Sequence, residues 1–522
     1  MRLKNINLLL IIIIIFSLIK IDYRFEEIPY GLEVDDAEYY YSAVTIGLDY
    51  DLDFSNQMEG IENRFLNKEI KKVVPFHPIG SGILAAPFVF FGNIIQKIQN
   101  TDGLISFMYF MYSIAPIFYL LLSILLIQKS LKSLNISFNN NLLLLATFGT
   151  GISYYSFDRF SMSHVYEFFA TTFLIYLTTH SIKKENSYLK KYIHFLIGLL
   201  IFIFLAIRWT NYLFFLIPMV IYLISKSPIK NLYLSPYFLF GIFIGLSVFL
   251  LHTKYLYGIY TLNQAPIVLS VENSFSANYN RFFDISLFNE NIIFLLEGLR
   301  IVFFSEEFGI FFFAPILFLS IIFVLFTIYE KKYLLGFCLS TLYAIPFVSV
   351  LVTQNTAFSY GYRYLFVLIP INIILYFKFL NHSILIKYYL HFFSILGFAL
   401  YIFFETTQGT SLSNGYVVNA FGMETRYSNP AYLSNLPSAL LSINAYMHII
   451  FTSFLGVFLI KCINLIASPL LIFGKFTEIN DDIFNLVDDT TNFSWFKLSI
   501  LFVFVIYFLL KVTKEESISE NY

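Results

Sequence analysis

Long apolar runs dominate the chain and alternate with short polar segments. A helix that crosses a bilayer needs about 20 predominantly apolar residues. The candidate spans lie at 5–21, 104–127, 141–157, 164–181, 192–207, 209–225, 235–256, 308–329, 334–353, 362–380, 388–404, 445–473 and 497–511. The pattern predicts an all-α polytopic membrane protein, a bundle of about 11–13 transmembrane helices.

The apolar runs divide the chain into four regions. The first, 1–21, is a transmembrane helix that starts in the cytoplasm, because basic residues precede its apolar run and no small-residue cleavage site follows it. Residues 22–103 form the first extracytoplasmic loop, and 104–404 form a transmembrane core. The variable region 405–522 holds one further extracytoplasmic loop and one or two spans.

Composition agrees with this division. The chain is 58% hydrophobic and only 13% charged, whereas soluble domains carry about 25% charged residues. The lipid bilayer must therefore be the solvent for most of it. With 33 basic and 34 acidic residues, the chain lacks the basic excess of a nucleic-acid-binding protein. Cys338 and Cys462 sit in apolar runs and predict neither a disulfide framework nor a metal site.

The few charges are sorted along the chain. Threading the spans from a cytoplasmic N-terminus places lysines in the inner loops, as the positive-inside rule expects. Of nine arginines only Arg2 is then cytoplasmic. The others, at the outer face or its edge, are Arg24, Arg64, Arg159, Arg208, Arg281, Arg300, Arg363 and Arg426. Residues 22–69 also hold 13 of the 34 carboxylates, so we expect an active site on the outer face of the cell inner (plasma) membrane.

The outer arginines have two interpretations. A guanidinium group binds phosphate through two parallel hydrogen bonds, whereas lysine offers only a point charge. The set as a whole therefore indicates a phosphate-bearing ligand. Alternatively, each arginine anchors a helix end or pairs with the acidic loop.

The first outer loop carries the most informative motif. Asp35 and Asp36 begin a segment of helical spacing that contains Tyr39 and Tyr40. Carboxylates at a helix N-terminus cap free backbone N–H groups, but this pair, with two tyrosines directly after the first span, indicates a site. Further on, the apolar segment 77–92 is interrupted by proline and glycine. It predicts a short helix that lies in the membrane interface.

These features resemble the GT-C superfamily of membrane glycosyltransferases, which take a sugar from a polyprenyl-phosphate carrier. They include protein O-mannosyltransferases and the enzyme that adds aminoarabinose to lipid A. The resemblance rests on the Asp-Asp-x-x-Tyr-Tyr helix after the first span and on His-Pro…Ala-Pro-Phe…Phe-Gly before the second. Shorter similarities follow at 161–166, 208–211, 308–315 and 360–370, so that it covers residues 1 to about 380.

The resemblance implies an inverting sugar transfer to a lipid, glycan or protein acceptor. A carboxylate of the first loop is the general base on the acceptor hydroxyl, and cations stabilise the departing lipid phosphate. The base falls on Asp35, with Asp36 as the close alternative, and the phosphate on Arg363 and then Arg208. The residues expected to contact acceptor or substrate are Tyr39, Tyr40, His77, His164 and Glu167. Glu167 lies one turn into a predicted span, where an ionisable group is expected to face a cavity or pair with Arg208 or Arg363.

One further carboxylate pattern follows the acidic helix. Asp49, Asp51 and Asp53 alternate, a spacing that suits oxygen ligation of Mg²⁺ or Ca²⁺. A solvated turn is the other interpretation. Since the family is thought to work largely without metal, we expect no cofactor.

Two other functions fit a polytopic chain of this composition. A transporter or flippase for lipid-linked sugars should show broken helices, charges deep in several spans, or similar halves. An O-antigen-type polymerase shares the outer arginines but usually carries its large loop late in the chain. The acidic loop directly after the first span favours the glycosyltransferase over both.

Overall fold

The computed structural model is predominantly α-helical. It describes residues 15, 19, 35–57, 66–67, 70–75, 77–99, 107–183, 187–208, 211, 215–262, 296, 298–304, 309–353, 362–407, 416–420, 423–427, 453–456, 458–459, 462 and 495–514. Most of the predicted spans at 5–21 and 445–473 lies outside these residues.

The N-terminal half of the described chain contains eleven helices. They are α1 (Asp35–Val44), α2 (Gly80–Gln99), α3 (Phe107–Ser133), α4 (Asn140–Phe148), α5 (Ile152–Phe157), α6 (His164–Lys183), α7 (Ser187–Leu199), α8 (Ile201–Ile207), α9 (Leu216–Ile224), α10 (Lys230–Tyr233) and α11 (Pro236–Tyr257). A π-helical turn, Thr45–Asp49, continues α1. Two short strands, β1 (Leu66–Asn67) and β2 (Lys72–Val73), pair antiparallel between α1 and α2.

The C-terminal half of the described chain includes six further helices whose bounds are defined. They are α12 (Ile310–Phe313), α13 (Pro315–Tyr329), α14 (Tyr333–Thr353), α15 (Ile369–Leu375), α16 (Ile384–Thr407) and α17 (Trp495–Lys514). A 3₁₀ helix (Arg363–Leu368) precedes α15, and a π-helical turn (Tyr376–Leu380) follows it. The strands β3 (Tyr416–Ala420) and β4 (Met423–Tyr427) form an antiparallel hairpin.

Six helices of the described chain are long and apolar enough to cross a membrane by length and composition. They are Gly80–Ile98, Phe107–Ser133, Tyr188–Ile207, Pro236–Tyr257, Arg363–Leu380 and Ile384–Tyr401. The larger number of spans stays a prediction. Helix α6 is not among the six, because Glu167, two histidines and four threonines lower its hydropathy, yet most of its side chains are buried inside the protein.

Three predicted elements differ from the structure. The run at 141–157 is not one span, since it forms α4 and α5 with a break between them. The run at 308–329 breaks at Ala314, whose backbone conformation is not helical. Ala314 precedes Pro315, and residues before proline commonly avoid the helical conformation. The helix expected to be short at 77–92 continues for twenty residues to Gln99, so length and composition make it a candidate span, and its interfacial position is not confirmed.

Glycines allow close helix crossings in the described part of the chain. A Cβ built on Gly241 of α11 would come 2.2 Å from the backbone oxygen of Phe195, and one on Gly198 of α7 would come 2.2 Å from that of Phe238. The backbones of α7 and α11 therefore touch where neither helix has a side chain. Small residues at such crossings are typical of helix association in membranes.

Helix α1 is buried on all sides, not only on the single face that its spacing suggested. Every side chain from Ala37 to Ala43 is buried. One side packs on α2, where a Cβ on Gly82 would come 2.5 Å from the Cβ of Ser42. Tyr40 packs edge-on against Tyr109 and Tyr112 of α3. Because the helix is enclosed, a polar side chain on it that lacks a hydrogen-bond partner is costly.

Candidate functional site

The predicted acidic motif forms the first turn of α1. Asp35 and Asp36 begin the helix, and their side chains lie outside the described part of the chain. Tyr39 is buried, and its hydroxyl lies 3.5 Å from Oγ of Ser163. Tyr40 is enclosed by the tyrosines of α3, which makes it a packing residue in this structure. Of the two predicted tyrosine contacts, Tyr39 is the one that faces the other site residues.

A buried carboxylate follows the two aspartates on the same helix. The side chain of Glu38 is 3% exposed, and its Oε2 accepts the backbone N–H of His77 at 3.1 Å. The same oxygen lies 3.1 Å from Nδ1 of the His77 ring. That ring packs against Tyr39, with 5.1 Å between the ring centroids. His77 therefore joins the segment before α2 to the acidic helix.

The start of α6 carries a second polar group. His164 is buried, and Nη2 of Arg208 lies 3.1 Å from its Nδ1. Since a guanidinium group can only donate, Nδ1 accepts and the imidazole is neutral. His164 therefore orients Arg208 rather than offering a positive charge of its own.

Glu167 lies one turn further along α6 and pairs with the same arginine. Its Oε1 is 3.6 Å from Nε of Arg208, which confirms the pairing expected for this ionisable group. The Glu167 side chain is 1% exposed, and its Oε2 has no hydrogen-bond partner among the described residues. A buried carboxylate oxygen in this state is costly unless a ligand or water donates to it.

Both arginines predicted to bind phosphate contact one aromatic ring. The guanidinium carbon of Arg208 lies 4.6 Å from the centroid of Tyr364, and that of Arg363 lies 5.4 Å from it. Nη1 of Arg363 also lies 3.9 Å from the sulfur of Met162. We call Arg208, Arg363, Tyr364, His164 and Glu167 the arginine cluster.

The arginine cluster and helix α1 are neighbours. Ser163, which meets the Tyr39 hydroxyl, directly precedes His164. Gly80, at the start of α2, touches the backbone of Ala206 and Ile207, so closely that a Cβ there would come within 2.4 Å of it. The chain reaches Arg208 one residue later. The contacts of Tyr39 and Gly80 therefore hold α1 and the start of α2 against the arginine cluster.

The alternating aspartates lie in an exposed turn after α1. Asp49 accepts hydrogen bonds from the amides of Asn56 and Gln57, and Asp51 accepts the backbone N–H of Asp53. Asp53 accepts both the hydroxyl and the backbone N–H of Ser55, and these bonds hold its pKa below the usual value. The carboxylates thus organise a polar turn. No group of three or more metal-ligating side chains occurs among the described residues.

Sequence patterns did not identify three of these residues. In the sequence, Glu38 is one of the 13 carboxylates of residues 22–69, Ser163 lies within the segment 161–166, and Tyr364 lies within the segment 360–370. For Glu38 there is one local feature in the sequence, since it directly precedes a tyrosine pair in a predicted helix. The contacts of Ser163 and Tyr364 join residues more than one hundred positions apart, and no local pattern encodes them.

The assembled site combines two cations, a neutral imidazole and a buried carboxylate beside a helix that begins with two aspartates. Preorganised guanidinium groups are suited to hold a phosphate and to stabilise the charge on a departing one. Comparison of the chain with family models, with curated proteins and with solved structures finds no match.

Proposed function

We propose that the protein is a membrane glycosyltransferase that moves a sugar from a polyprenyl-phosphate carrier to a hydroxyl group of a lipid, glycan or protein. The observation that carries the proposal is the convergence of Arg208 and Arg363 on the ring of Tyr364. Two guanidinium groups that share one ring repel each other, and a bound anion removes that cost. A phosphate with two or three charged oxygens matches the fork of each group.

The site also offers contacts for the sugar. Oε2 of Glu167 is a buried acceptor with no described hydrogen-bond partner, and a sugar hydroxyl supplies the donor it lacks. The Tyr39 hydroxyl lies on the α1 side of the same neighbourhood. Both groups suit a hydroxyl-rich ligand better than an apolar one.

The proposed reaction inverts the configuration at the anomeric carbon. The acceptor oxygen attacks that carbon, and the bond from the carbon to the phosphate oxygen breaks. Its electron pair remains on the phosphate, where Arg208 and Arg363 stabilise the added charge. The acceptor proton passes to a carboxylate at the start of α1, Asp35 or Asp36. In this scheme the enzyme needs no metal, and the site faces the outside of the plasma membrane.

The test is a comparison of cell-envelope glycans and lipids, by mass spectrometry, between cells with and without the protein. We expect cells without it to lose one sugar from a defined glycan, lipid or protein and to accumulate the corresponding polyprenyl-phosphate sugar. Complementation with the double variant Arg208→Ala/Arg363→Ala should not restore the product. An unchanged set of glycans, with the lipid-linked sugar moved from one leaflet to the other, would instead support a flippase.

A further inference from the structure

We infer that Glu167 sets the charge that the phosphate site accepts, so that the site prefers the singly charged phosphodiester of the donor to a doubly charged phosphate. The inference rests on the proposed function, because it concerns the same ligand. It uses Oε1 of Glu167, which faces Arg208, rather than the oxygen that suits a sugar hydroxyl. It makes Glu167 a residue that determines specificity.

The two arginines of the site differ in their surroundings. Arg208 has a carboxylate partner, since its Nε lies 3.6 Å from Oε1 of Glu167. Arg363 has no carboxylate within ion-pair distance among the residues that the structure describes. It contacts the sulfur of Met162 and the ring of Tyr364 instead, and tyrosine side chains are the groups that act on its charge. One of the two positive charges is therefore compensated and the other is not.

The pair of Glu167 and Arg208 lies inside the protein. Their side chains are 1% and 14% exposed, so that salt screens the attraction between them only weakly. Burial alone disfavours a charged carboxylate, and a permanently charged guanidinium group at this distance offsets that cost. We therefore treat the two residues as an ion pair, in which Glu167 cancels the charge of Arg208.

The rest of the arginine cluster adds no charge. The His164 ring is neutral, because its Nδ1 accepts a hydrogen bond from Nη2 of Arg208. The turn that precedes α6 contributes one charge of each sign, at Asp158 and Arg159. The arginine cluster consequently carries a single net positive charge, which comes from Arg363.

A single positive charge matches the donor better than the product. The phosphate of a polyprenyl-phosphate sugar is a diester with one negative charge. Sugar transfer breaks the bond from the anomeric carbon to the phosphate oxygen and leaves the electron pair on the phosphate, so the product is a monoester. A monoester is doubly charged above its second pKa, which is about 6. Its second charge finds no uncompensated cation in the cluster and is repelled by Glu167, which favours release of the product.

The experiment measures the binding of three ligands to the full-length protein in phosphatidylcholine nanodiscs at about pH 8, where a phosphomonoester is doubly charged. The ligands are polyprenyl methyl phosphate, a diester with one charge, polyprenyl phosphate and neutral polyprenol. None of them carries a sugar, so the contact at Oε2 of Glu167 does not enter the comparison.

The wild-type protein is compared with Glu167→Gln, which removes the charge and keeps the shape, and with Glu167→Asp, which keeps the charge. Glu330→Gln is the matched control. Glu330 also pairs with a cation, Lys332, at 3.7 Å, but both side chains of that pair are 40% exposed. It lies outside the arginine cluster.

We expect the wild-type protein to bind the diester at least as tightly as the monoester. Glu167→Gln should shift the ratio of the two affinities towards the monoester by about 10-fold or more, the scale of one charge–charge contact at an effective dielectric constant of about 20. Glu167→Asp and Glu330→Gln should keep the wild-type ratio. A variant that is merely destabilised would lose affinity for both ligands and leave their ratio unchanged.

Two results would overturn the inference and leave the proposed function standing. One is a wild-type protein that binds the monoester about 10-fold or more tightly than the diester, because the site would then accept the second charge. The other is an unchanged ratio in a Glu167→Gln protein that still binds the diester.

Failure of the proposed function has a different signature. The wild-type protein would then bind neither phosphate more tightly than polyprenol. Competition by phosphatidylglycerol, which is also a phosphodiester, as effective as that by polyprenyl methyl phosphate would assign the site to a membrane lipid headgroup. Either result would overturn the inference together with the proposed function.

Discussion

The guanidinium group of Arg208 lies over the ring of Tyr364, with 4.6 Å between its central carbon and the ring centroid. Tyr364 directly follows Arg363 in the chain, and Arg363 approaches the same ring from 5.4 Å. One aromatic side chain thus holds two arginines that are more than 150 positions apart in the sequence. Their joint position is the basis for the proposed phosphate site.

Tyr364 should be needed for donor affinity rather than for folding. We expect Tyr364→Leu to raise the apparent KM for the polyprenyl-phosphate sugar about 5- to 30-fold, because a cation–π contact contributes about 1 to 2 kcal/mol when it is desolvated. Tyr364→Phe keeps the ring and should raise KM less. The measurement is the sugar-transfer rate of purified protein at varied donor concentration. Equal effects of leucine and phenylalanine would mean that the hydroxyl, not the ring, is the important group.

Arg363→Lys should weaken donor binding, although the charge is retained. Lysine cannot form the two parallel bonds of a guanidinium group, and a hydrogen bond to a charged group contributes about 1.5 to 3 kcal/mol. We expect KM for the donor to rise roughly tenfold or more. Arg300→Lys is the matched control, since Arg300 is exposed and lies outside the arginine cluster. An unchanged KM in Arg363→Lys would exclude bidentate phosphate binding at this residue.

The general base should be one of the two aspartates that begin α1. We expect either Asp35→Asn or Asp36→Asn to lower kcat by about 10²- to 10⁴-fold, the usual contribution of general base catalysis, with little effect on donor KM. Each variant is assayed at saturating donor. If both single variants and the double variant transfer sugar at the wild-type rate, the base lies elsewhere.

Chelation should leave the activity intact. The carboxylates of Asp49, Asp51 and Asp53 accept hydrogen bonds from neighbouring amides, a hydroxyl and backbone N–H groups, so that they serve the turn itself. We expect the purified protein to keep its rate after treatment with EDTA, and Asp51→Asn to behave as the wild type does. A rate that EDTA abolishes and Mg²⁺ or Ca²⁺ restores would identify a required divalent ion.

Gly241 should be essential for the pairing of α7 with α11. Because a Cβ at this position would come 2.2 Å from the backbone oxygen of Phe195, Gly241→Leu forces the helices apart. We expect a loss of at least the roughly 1 to 3 kcal/mol that is typical of overpacking, seen as a clearly lower unfolding temperature in detergent. Phe243→Leu on the exposed side of the same helix is the control and should leave that temperature nearly unchanged.

The sequence predicted single helices better than their interruptions. The run at 235–256 corresponds to α11, and the run at 164–181 to α6, because hydropathy and turn residues bound both. The break between α4 and α5 was missed, since apolar residues continue through it and only glycines and a threonine mark it. The continuation of α2 past Gly92 was missed because proline and glycine suggest an end, whereas Pro87 stands inside the helix.

The residue types that form the site were predictable from the sequence, whereas most contacts between them were not. An arginine predicted at the outer face suggests phosphate binding, because its planar guanidinium group can form two parallel hydrogen bonds to a phosphate. Arg208 and Arg363 were therefore predictable from the sequence as phosphate-binding candidates. That both would share Tyr364, or that Glu38 would bind His77 across 39 positions, depends on helix packing that no local spacing records. The proximity of Glu167 to an arginine was predictable because an ionisable group inside a membrane bundle requires a partner.

The most direct test of sugar transfer from a polyprenyl-phosphate carrier uses the purified protein and a lipid extract from cells that lack it. The extract is incubated with the wild-type protein or with Arg208→Ala/Arg363→Ala, and the carriers are followed by mass spectrometry. The wild-type protein should consume a polyprenyl-phosphate sugar and release an equal amount of free polyprenyl phosphate, while the double variant should release none. A carrier pool that the wild-type protein leaves unchanged, in an extract shown to contain both donor and acceptor, would contradict the proposed function.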